Sequence, residues 1–230
     1  MKTIGLLGGM SWESSIEYYR IINQAVKMRL GGLHSAQCLM YSVDFAEIEK
    51  LQHIGDWDTL TQTMIAAVHR LEEGCAECLV ICTNTMHRMA DEIQAAACIP
   101  LLHIADAAAA AIKGEGLHTV GLLGTRFTME GDFYRGKLHQ DHGLQVLIPD
   151  QSDRELVHRI IYDELVQGII REESRKMYQA VIDNLQRGGA QGVILGCTEI
   201  PLLVRDSGVD LPVFDTTTIH AQAAVDWALS

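Results

Sequence analysis

The sequence Gly-Leu-Leu-Gly occupies residues 5–8 and recurs at residues 121–124, an offset of 116 positions. About ten residues after each copy, an aromatic residue is followed by Tyr and Arg, at residues 18–20 and again at residues 133–135. A single short apolar match arises easily by chance, but a second feature at nearly the same offset makes chance a poor explanation. These segments indicate that the chain repeats itself.

Two further pairs of segments extend the repeat toward the C-terminus. Residues 79–83 (Leu-Val-Ile-Cys-Thr) resemble residues 193–197 (Val-Ile-Leu-Gly-Cys), at an offset of 114 positions. Residues 99–102 (Ile-Pro-Leu-Leu) resemble residues 211–214 (Leu-Pro-Val-Phe), at an offset of 112 positions. Because the order and the spacing are both kept, we predict two similar lobes that are related by internal duplication.

Each repeat combines a strand pattern with a helix pattern. The first apolar run stops at Gly8, and apolar residues at helical spacing follow it: Ile16, Tyr19, Ile22 and Val26. Ser14 and Glu17 have the spacing of a capping box, and Gly31 predicts the end of this helix. Residues 78–82 form a short continuous apolar run, which is typical of strands covered on both faces. The predicted fold class is α/β, with two similar lobes, each a parallel sheet flanked by helices, and a site in the cleft between them.

The domain boundaries follow from the repeat. The first lobe is expected at residues 1–104 and the second at residues 105–207. The tail, residues 208–230, ends in an apolar-rich helix and is expected to cross back and complete the first lobe. No linker rich in Pro or Ser separates the repeats, so we predict that the lobes are joined tightly.

Composition narrows the class of protein. The 230 residues, of which 48% are hydrophobic, suffice for one large domain or for two domains of about 100 residues. The formal net charge is -12 and the chain has no basic run. A nucleic-acid partner is therefore not expected, because binding to nucleic acid requires Lys and Arg to neutralise its phosphates. The apolar stretch from Ile4 to Leu7 is too short for a membrane span or a signal-peptide core, so we predict a cytoplasmic protein without membrane contact. The six cysteines are then expected to be reduced thiols.

Polar residues follow two strands that correspond in the repeat, at residues 83–85 (Thr-Asn-Thr) and 197–199 (Cys-Thr-Glu). Parallel α/β sheets bind ligands beyond the carboxyl ends of their strands, so we expect Thr83 and Cys197 to face one another across a cleft. Cys82 should point away from that cleft, because successive side chains of a strand alternate in direction. A core thiol is therefore predicted at Cys82.

Cys197 is the main candidate for chemistry. A cysteine at a helix N-terminus has its thiolate stabilised, and a free thiol with a pKa of about 8.5 needs little help to act near neutral pH. We therefore expect Cys197 to be a base or a nucleophile. The alternative is that it is a small buried hydrophobic residue.

Four motifs occur in a fixed order: Gly-Gly-Met at 8–10, Asp-Phe-Ala-Glu-Ile at 44–48, Asn-Thr-Met-His at 84–87 and Gly-Cys-Thr-Glu-Ile at 196–200. They resemble the motifs of the aspartate/glutamate racemase family and span nearly the whole chain. The resemblance implies two α/β lobes, no cofactor, a homodimer, and two cysteines on opposite faces of the α-carbon of an amino-acid substrate. One cysteine removes the α-proton and the other returns it.

This chain departs from the family at the first of those cysteines. That cysteine stands immediately before Asn-Thr, where this chain has Thr83, whereas the second matches Cys197. A hydroxyl is a far weaker base than a thiolate. We expect Cys197, helped by Glu199, to take the α-proton of one enantiomer, which the resemblance implies is the L form. Thr83 then supplies a proton to the other face, directly or through water.

Six residues are predicted to bind the substrate: Met10, Gln52, Asn84, Thr85, Thr125 and Thr198. The resemblance suggests the first two and the internal repeat suggests Thr125, while the other three lie at predicted helix starts. N–H groups and side chains there could hold the α-carboxylate and stabilise the developing carbanion. Glu199 and His87 are assigned supporting roles. For His87 a structural role in fixing its loop and a catalytic role both stay open.

The sequence indicates less clearly which side chain the amino-acid substrate carries. The resemblance favours aspartate or glutamate and leaves a broader range of amino acids open. Many family members carry a lysine in the second lobe that could hold the side-chain carboxylate, and this chain has Val166 at that place. Arg126 or Lys50 is a candidate replacement, and a solvated surface role is the alternative for each.

Other functions were weighed against the racemase. Related families with a single catalytic cysteine resemble decarboxylases or isomerases of small carboxylic acids, and analysis of the product separates these activities. Two lobes around a cleft also describe a non-catalytic small-molecule binding protein, which needs no thiol at Cys197. Gly5, Gly8 and Gly9 do not form a dinucleotide fingerprint. The Cys-x-x-Cys motif at residues 75–78 lacks a partnering Cys or His cluster, so no metal is expected.

Overall fold

The computed structural model describes residues 1–204 and 210–230. The chain divides into two units: unit 1 is Met1–Ile104 with His220–Ser230, and unit 2 is Ala105–Ile219.

The chain returns to unit 1 later than the sequence suggests. The expected boundary between residues 207 and 208 lies outside the described residues. The strand Val213–Asp215 pairs in parallel with a strand of unit 2, so this part of the tail belongs to unit 2, and unit 1 resumes at His220. The prediction that all of residues 208–230 complete the first lobe is therefore too broad.

The elements of unit 1 before the crossing are β1 (Ile4–Gly8), α1 (Trp12–Leu30), β2 (Cys38–Ser42), α2 (Phe45–Ile54), α3 (Trp57–Glu73), β3 (Cys78–Ile81), a 3-10 helix (Thr85–Met89) and α4 (Ala90–Ala96). The chain continues through α5 (Ile104–Gly114), β4 (Thr119–Gly124), α6 (Arg126–Glu130), α7 (Asp132–Gln140), β5 (Gln145–Leu147), α8 (Gln151–Asp163), a second 3-10 helix (Leu165–Gln167), α9 (Glu172–Arg187), β6 (Val193–Gly196), α10 (Ile200–Val204), β7 (Val213–Asp215) and α11 (Thr216–Leu229).

The first sheet is covered on both faces. Its strands are parallel, in the order β2-β1-β3 among the described residues. Side chains of β1 and β3 alternate between two apolar clusters: Leu7 and Ile81 pack with α2 and α3, whereas Leu6, Val80 and Cys82 pack with α1 and α11. Burial of each large apolar side chain stabilises the fold by about 1.5–3 kcal/mol. The alternation confirms the expectation that Cys82 is a core thiol.

The second sheet repeats the topology of the first. In the described part of unit 2 the order is β5-β4-β6-β7, and every pair is parallel. β4, β5 and β6 thus take the places of β1, β2 and β3. Even β7 has a counterpart, because Leu101 forms an isolated parallel bridge with Leu79 in unit 1. The predicted internal duplication and α/β fold class are confirmed.

The ends of α1 show one correct and one wrong prediction. Gly31 is the C-cap, as predicted, and its N–H donates to the Lys27 carbonyl. The N-cap is Ser11 rather than Ser14, because Ser11 Oγ accepts from the Ser14 N–H. The chain therefore enters the helix immediately after the turn that carries Met10.

Candidate active site

The carboxyl end of β1 is shaped by a glycine that no other residue can replace without strain. Gly9 has a φ of 92°, and a Cβ atom there would lie 2.3 Å from the Val43 carbonyl oxygen. Its N–H donates to Ser15 Oγ at 2.8 Å. This tight turn delivers Met10, which is buried, beside the end of β3, since Leu7 and Ile81 are register partners.

Thr83, Asn84 and Thr85 follow β3 and are all buried. The helix predicted after them begins as the 3-10 helix Thr85–Met89 before it becomes α4. The carbonyl of Thr83 accepts a hydrogen bond from His87 Nδ1 at 2.8 Å. The backbone at Thr83, the first of the two predicted catalytic positions, is therefore held by a side chain four residues further along the chain.

His87 has both of its ring nitrogens engaged. Nδ1 donates to Thr83, and Nε2 accepts from the Ile104 N–H at 3.2 Å. The ring must be neutral to do both. Burial, together with the nearby His103 and His220 rings, lowers the pKa of His87 well below its usual value. These contacts are those of a structural histidine that fixes its loop, and a catalytic role of His87 stays a separate prediction.

His220 is a buried residue that the sequence did not single out. Its ring lies 5.8 Å from that of His87. Tyr18 Oη donates to His220 Nδ1 at 2.9 Å, and His220 Nε2 donates to the Leu102 carbonyl at 2.7 Å. Burial lowers the pKa of His220 to about 4. Neutral His220 thus links α1 and α11 to the backbone at Leu102. The one sequence signal for this contact is its position in a C-terminal helix that is expected to rejoin the first lobe.

The ends of β4 and β6 approach each other closely in unit 2. Gly124 and Gly196 are register partners, and a Cβ atom on Gly124 would lie 2.9 Å from the Gly196 carbonyl oxygen. The residues that follow, Thr125 and Cys197, therefore leave neighbouring strands at the same level. Thr125 is buried and caps α6, with its Oγ1 accepting from the Thr128 N–H at 3.3 Å.

Cys197 is bonded to a buried carboxylate. Its thiol donates to Glu199 Oε2 at 3.0 Å, and Thr198 Oγ1 donates to the same oxygen at 2.7 Å. Glu199 is only 4% exposed and Cys197 only 9% exposed. The three consecutive residues of the predicted site thus form one hydrogen-bonded group.

The expectation that Cys197 has a favoured thiolate is wrong. Burial and the Glu199 carboxylate raise the pKa of the Cys197 thiol well above its usual value. The peptide N–H groups of Thr198 and Glu199 act in the opposite direction but do not prevail. The helix itself begins only at Ile200 and is five residues long. Cys197 is therefore a neutral thiol near pH 7.

Cys197 and Glu199 can share one proton. A thiolate beside an ionised carboxylate is disfavoured by like-charge repulsion, so the accessible alternative is a thiolate beside a protonated Glu199. Moving the proton over 3.0 Å from Sγ to Oε2 produces a base without adding charge to the buried site.

The predicted site residues fall into two groups, one in each unit. Unit 1 contains Met10, Gln52, Thr83, Asn84, Thr85 and His87, and unit 2 contains Thr125, Cys197, Thr198 and Glu199. Within each unit the structure brings the residues after neighbouring strands to the same sheet edge. Gln52 is buried on α2, and its contact with substrate stays a prediction.

Two other cysteines and the two candidate cations differ in how far they are buried. Cys78 lies in β3, and burial raises its pKa to about 12, while Cys75 is exposed. Lys50 and Arg126 are exposed, and Val166 lies in a 3-10 helix. Within the part of the chain that the structure describes, no helix is long and apolar enough to cross a membrane.

Buried polar residues thus follow corresponding strands in the two units, and Cys197 adds a buried thiol in unit 2. The sequence profile of the Asp/Glu/Hydantoin racemase family matches residues 7–224. The chain therefore belongs to this family, which makes it an amino-acid racemase by class.

Individual relatives support the same assignment. The chain is 22% identical over 232 residues to the broad-specificity amino-acid racemase RacX of Bacillus subtilis (strain 168), covering 99% of this chain and 98% of that protein. A crystal structure from Yersinia pestis, described as a candidate Asp/Glu racemase, is 59% identical with a TM-score of 0.94 and full coverage of both chains. An aspartate racemase homologue from Pyrococcus horikoshii OT3 is 32% identical, with a TM-score of 0.86 and full coverage of both chains.

Proposed function

We propose that this protein interconverts L- and D-amino acids without a cofactor, by removing the α-proton on one face of the α-carbon and returning a proton on the other. Cys197 is the base on the first face, and Thr83 is the source of the proton on the second. The observation that carries this proposal is the hydrogen bond from the Cys197 thiol to Glu199. It gives the thiol a proton acceptor in a buried site.

The first step is a proton transfer. Glu199 accepts the thiol proton, and the thiolate takes the α-proton while the Cα–H electron pair stays on the substrate as a carbanion. N–H groups and hydroxyls at the two strand ends, with Asn84, Thr85 and Thr198 as the candidates, stabilise the negative charge that spreads onto the α-carboxylate. Met10, Gln52 and Thr125 complete the proposed binding residues.

The second step returns a proton from the Thr83 side. The hydroxyl gives its proton to the carbanion and is itself reprotonated by water, or it relays a proton from a water molecule. Glu199 then releases the proton that it took from the thiol, which neutralises the hydroxide that the water leaves behind. A hydroxyl is a poor base, so the reverse reaction must begin with water or hydroxide on that face. The equilibrium constant of a racemisation is one, so forward and reverse kcat/KM must match, and asymmetry appears only in kcat and KM separately.

Aspartate and glutamate are the proposed preferred substrates. The family match and the two solved structures support acidic substrates, while RacX, described as having broad specificity, supports a wider range. Assembly as a homodimer stays a prediction from the family resemblance, and a cytoplasmic location stays a prediction from the sequence.

The test is proton NMR in deuterated water with L-aspartate, L-glutamate and several neutral L-amino acids, together with chiral analysis of the product. Loss of the α-proton signal and formation of the D-enantiomer are expected together. Release of carbon dioxide or a new carbon skeleton would favour the single-cysteine decarboxylase or isomerase. Substrate binding without exchange, inversion or any other turnover would favour a binding protein.

A further inference from the structure

A polar cavity lies in unit 2, outside the residues so far placed in the site. Its volume is about 390 Å³. The lining residues come from one face of α6 and one face of α8: Arg126, Glu130, Gln151, Arg154, Glu155 and His158. Their spacing of three and four residues along each helix explains why they point to the same space.

The cavity lies at the sheet edge that carries Cys197. α6 follows β4 and α8 follows β5, and the strands are parallel, so both helices begin at the carboxyl edge. Gly124 and Gly196 are register partners on strands about 4.8 Å apart. Arg126 is two residues beyond Gly124, and Cys197 is one residue beyond Gly196. Arg126 and Cys197 therefore follow neighbouring strands at the same edge of the sheet.

The charged side chains that line the cavity differ in the partners that they contact. Arg154 Nε donates to Glu130 Oε1 at 2.9 Å, and its Nη1 donates to the Pro149 carbonyl at 2.8 Å. Glu155 accepts from Gln151 Nε2 at 3.0 Å. The exposed guanidinium of Arg126 instead lies 5.8 Å from the Phe127 ring. Among residues 1–204 and 210–230, it forms no ion pair with a carboxylate.

The backbone of Arg126 is fixed, although its guanidinium pairs with no carboxylate of residues 1–204 and 210–230. Its N–H donates to His158 Nδ1 at 3.2 Å. The His158 ring is in turn held between aromatic neighbours, with its centroid 6.2 Å from that of Phe127 and 4.8 Å from that of Tyr162. The base of the side chain is therefore anchored, and its charged end is exposed.

We propose that Arg126 holds the side-chain carboxylate of an acidic amino-acid substrate while Cys197 acts on the α-carbon. The inference rests on the proposed racemase function and assigns the residue that distinguishes acidic from neutral substrates. A guanidinium suits this task because its planar fork can donate two parallel hydrogen bonds to one carboxylate. The same chemistry would also suit a separate carboxylate effector, and the experiment distinguishes the two.

The first arm compares substrates of nearly equal shape. In Arg126→Gln, kcat/KM for L-glutamate should fall about 10- to 100-fold, mainly through KM, while kcat/KM for L-glutamine changes less than about twofold. Arg126→Lys should lie between, since it keeps the charge but loses the fork. Arg159→Gln, an exposed arginine of α8 that does not line the cavity, is the matched control and should leave both values unchanged. Equal losses for both substrates in Arg126→Gln would overturn the assignment.

The second arm uses inhibitors, so it does not depend on turnover of a neutral substrate. Glutarate should compete with L-glutamate and bind at least tenfold more tightly than pentanoate in the wild type, and Arg126→Gln should remove this preference. Non-competitive modulation by glutarate that Arg126→Gln abolishes would identify an effector site and contradict a role in substrate binding. If the wild type exchanges the α-proton of no amino acid, the racemase proposal itself fails. Calorimetric binding of glutarate then decides the assignment: equal affinity in wild type and Arg126→Gln overturns it.

Discussion

Thr83 follows β3 in unit 1, and Cys197 follows β6 in unit 2, at corresponding places in two sheets of the same strand order. Thr83 is held through its carbonyl by a neutral histidine. Cys197 is bonded through its side chain to a buried carboxylate. The two positions thus correspond in the duplicated fold but differ in side-chain chemistry, because Cys197 is bonded to a carboxylate and Thr83 carries a hydroxyl.

The largest effect is expected at Cys197. Cys197→Ala removes the thiol base, and kcat/KM for racemisation should fall by about 10³-fold or more. Chiral chromatography of initial rates measures the loss, and circular dichroism checks the fold. Cys98→Ala, at an exposed cysteine, is the control and should keep wild-type activity. Retention of more than a tenth of the activity in Cys197→Ala would exclude Cys197 as the base.

A smaller but selective effect is expected at Thr83. Thr83→Val keeps the shape and removes the hydroxyl, so inversion of the L-enantiomer should slow about 100-fold. Thr83→Ser keeps the hydroxyl and should stay within about tenfold of the wild type. Initial rates of D-enantiomer formation provide the measurement. Similar rates in Thr83→Val and the wild type would show that water alone protonates this face.

Glu199 should control the ionisation of Cys197. In Glu199→Gln the negative charge that raises the pKa of the thiol is absent, so the pKa of Cys197 should move down toward its usual value. The thiolate then exists at lower pH than in the wild type, but the proton acceptor is lost, and kcat/KM should fall about tenfold.

The pH profile of Cys197 alkylation by iodoacetamide, read by mass spectrometry of its peptide, reports this shift. Glu164→Gln changes a carboxylate that bonds Ser174 instead and should leave the profile in place. An unchanged or higher midpoint in Glu199→Gln would contradict the coupling of thiol and carboxylate.

The weakest expected effect is on stability, through His220. Its pKa is lowered to about 4 in the folded protein from a usual value of 6.5, so the unfolded chain binds the proton first as the pH falls. The stability that depends on neutral His220 is fully present above pH 6.5 and is lost between pH 6.5 and 4, by up to about 3 kcal/mol. Urea unfolding of wild type and His220→Gln at pH 7.5 and 4.5 should show a smaller pH dependence in the variant. His34→Gln, at an exposed histidine, should behave like the wild type, and an equal dependence in all three proteins would count against this role.

Much of the fold was accessible from the sequence, because apolar strands covered on both faces leave continuous runs that can be matched between the halves. The runs that end at Thr83 and Cys197 are the clearest cases, and both proved to be corresponding strands. The cap of α1 was misplaced because Ser11 and Ser14 both suit the position, and only the path of the turn decides between them.

Properties that depend on burial or on contacts between residues far apart in the chain cannot be predicted from the sequence pattern. The raised pKa of Cys197 follows from desolvation and from the orientation of Glu199, which no spacing encodes. His220 contacts Tyr18 across 202 positions of sequence. The return of the chain at His220 depended on β7 pairing with β6 rather than joining the first sheet.

The division of labour between the two strand ends is tested most directly by α-proton exchange in Thr83→Val in deuterated water. With L-glutamate, Cys197 should still remove and exchange the α-proton on its own face, so the NMR signal should disappear while little D-glutamate forms. With D-glutamate, whose α-proton the proposal assigns to the Thr83 face, exchange should be almost absent. Rapid exchange of D-glutamate, or equal loss of exchange and inversion from L-glutamate, would contradict the assignment of one face to each end.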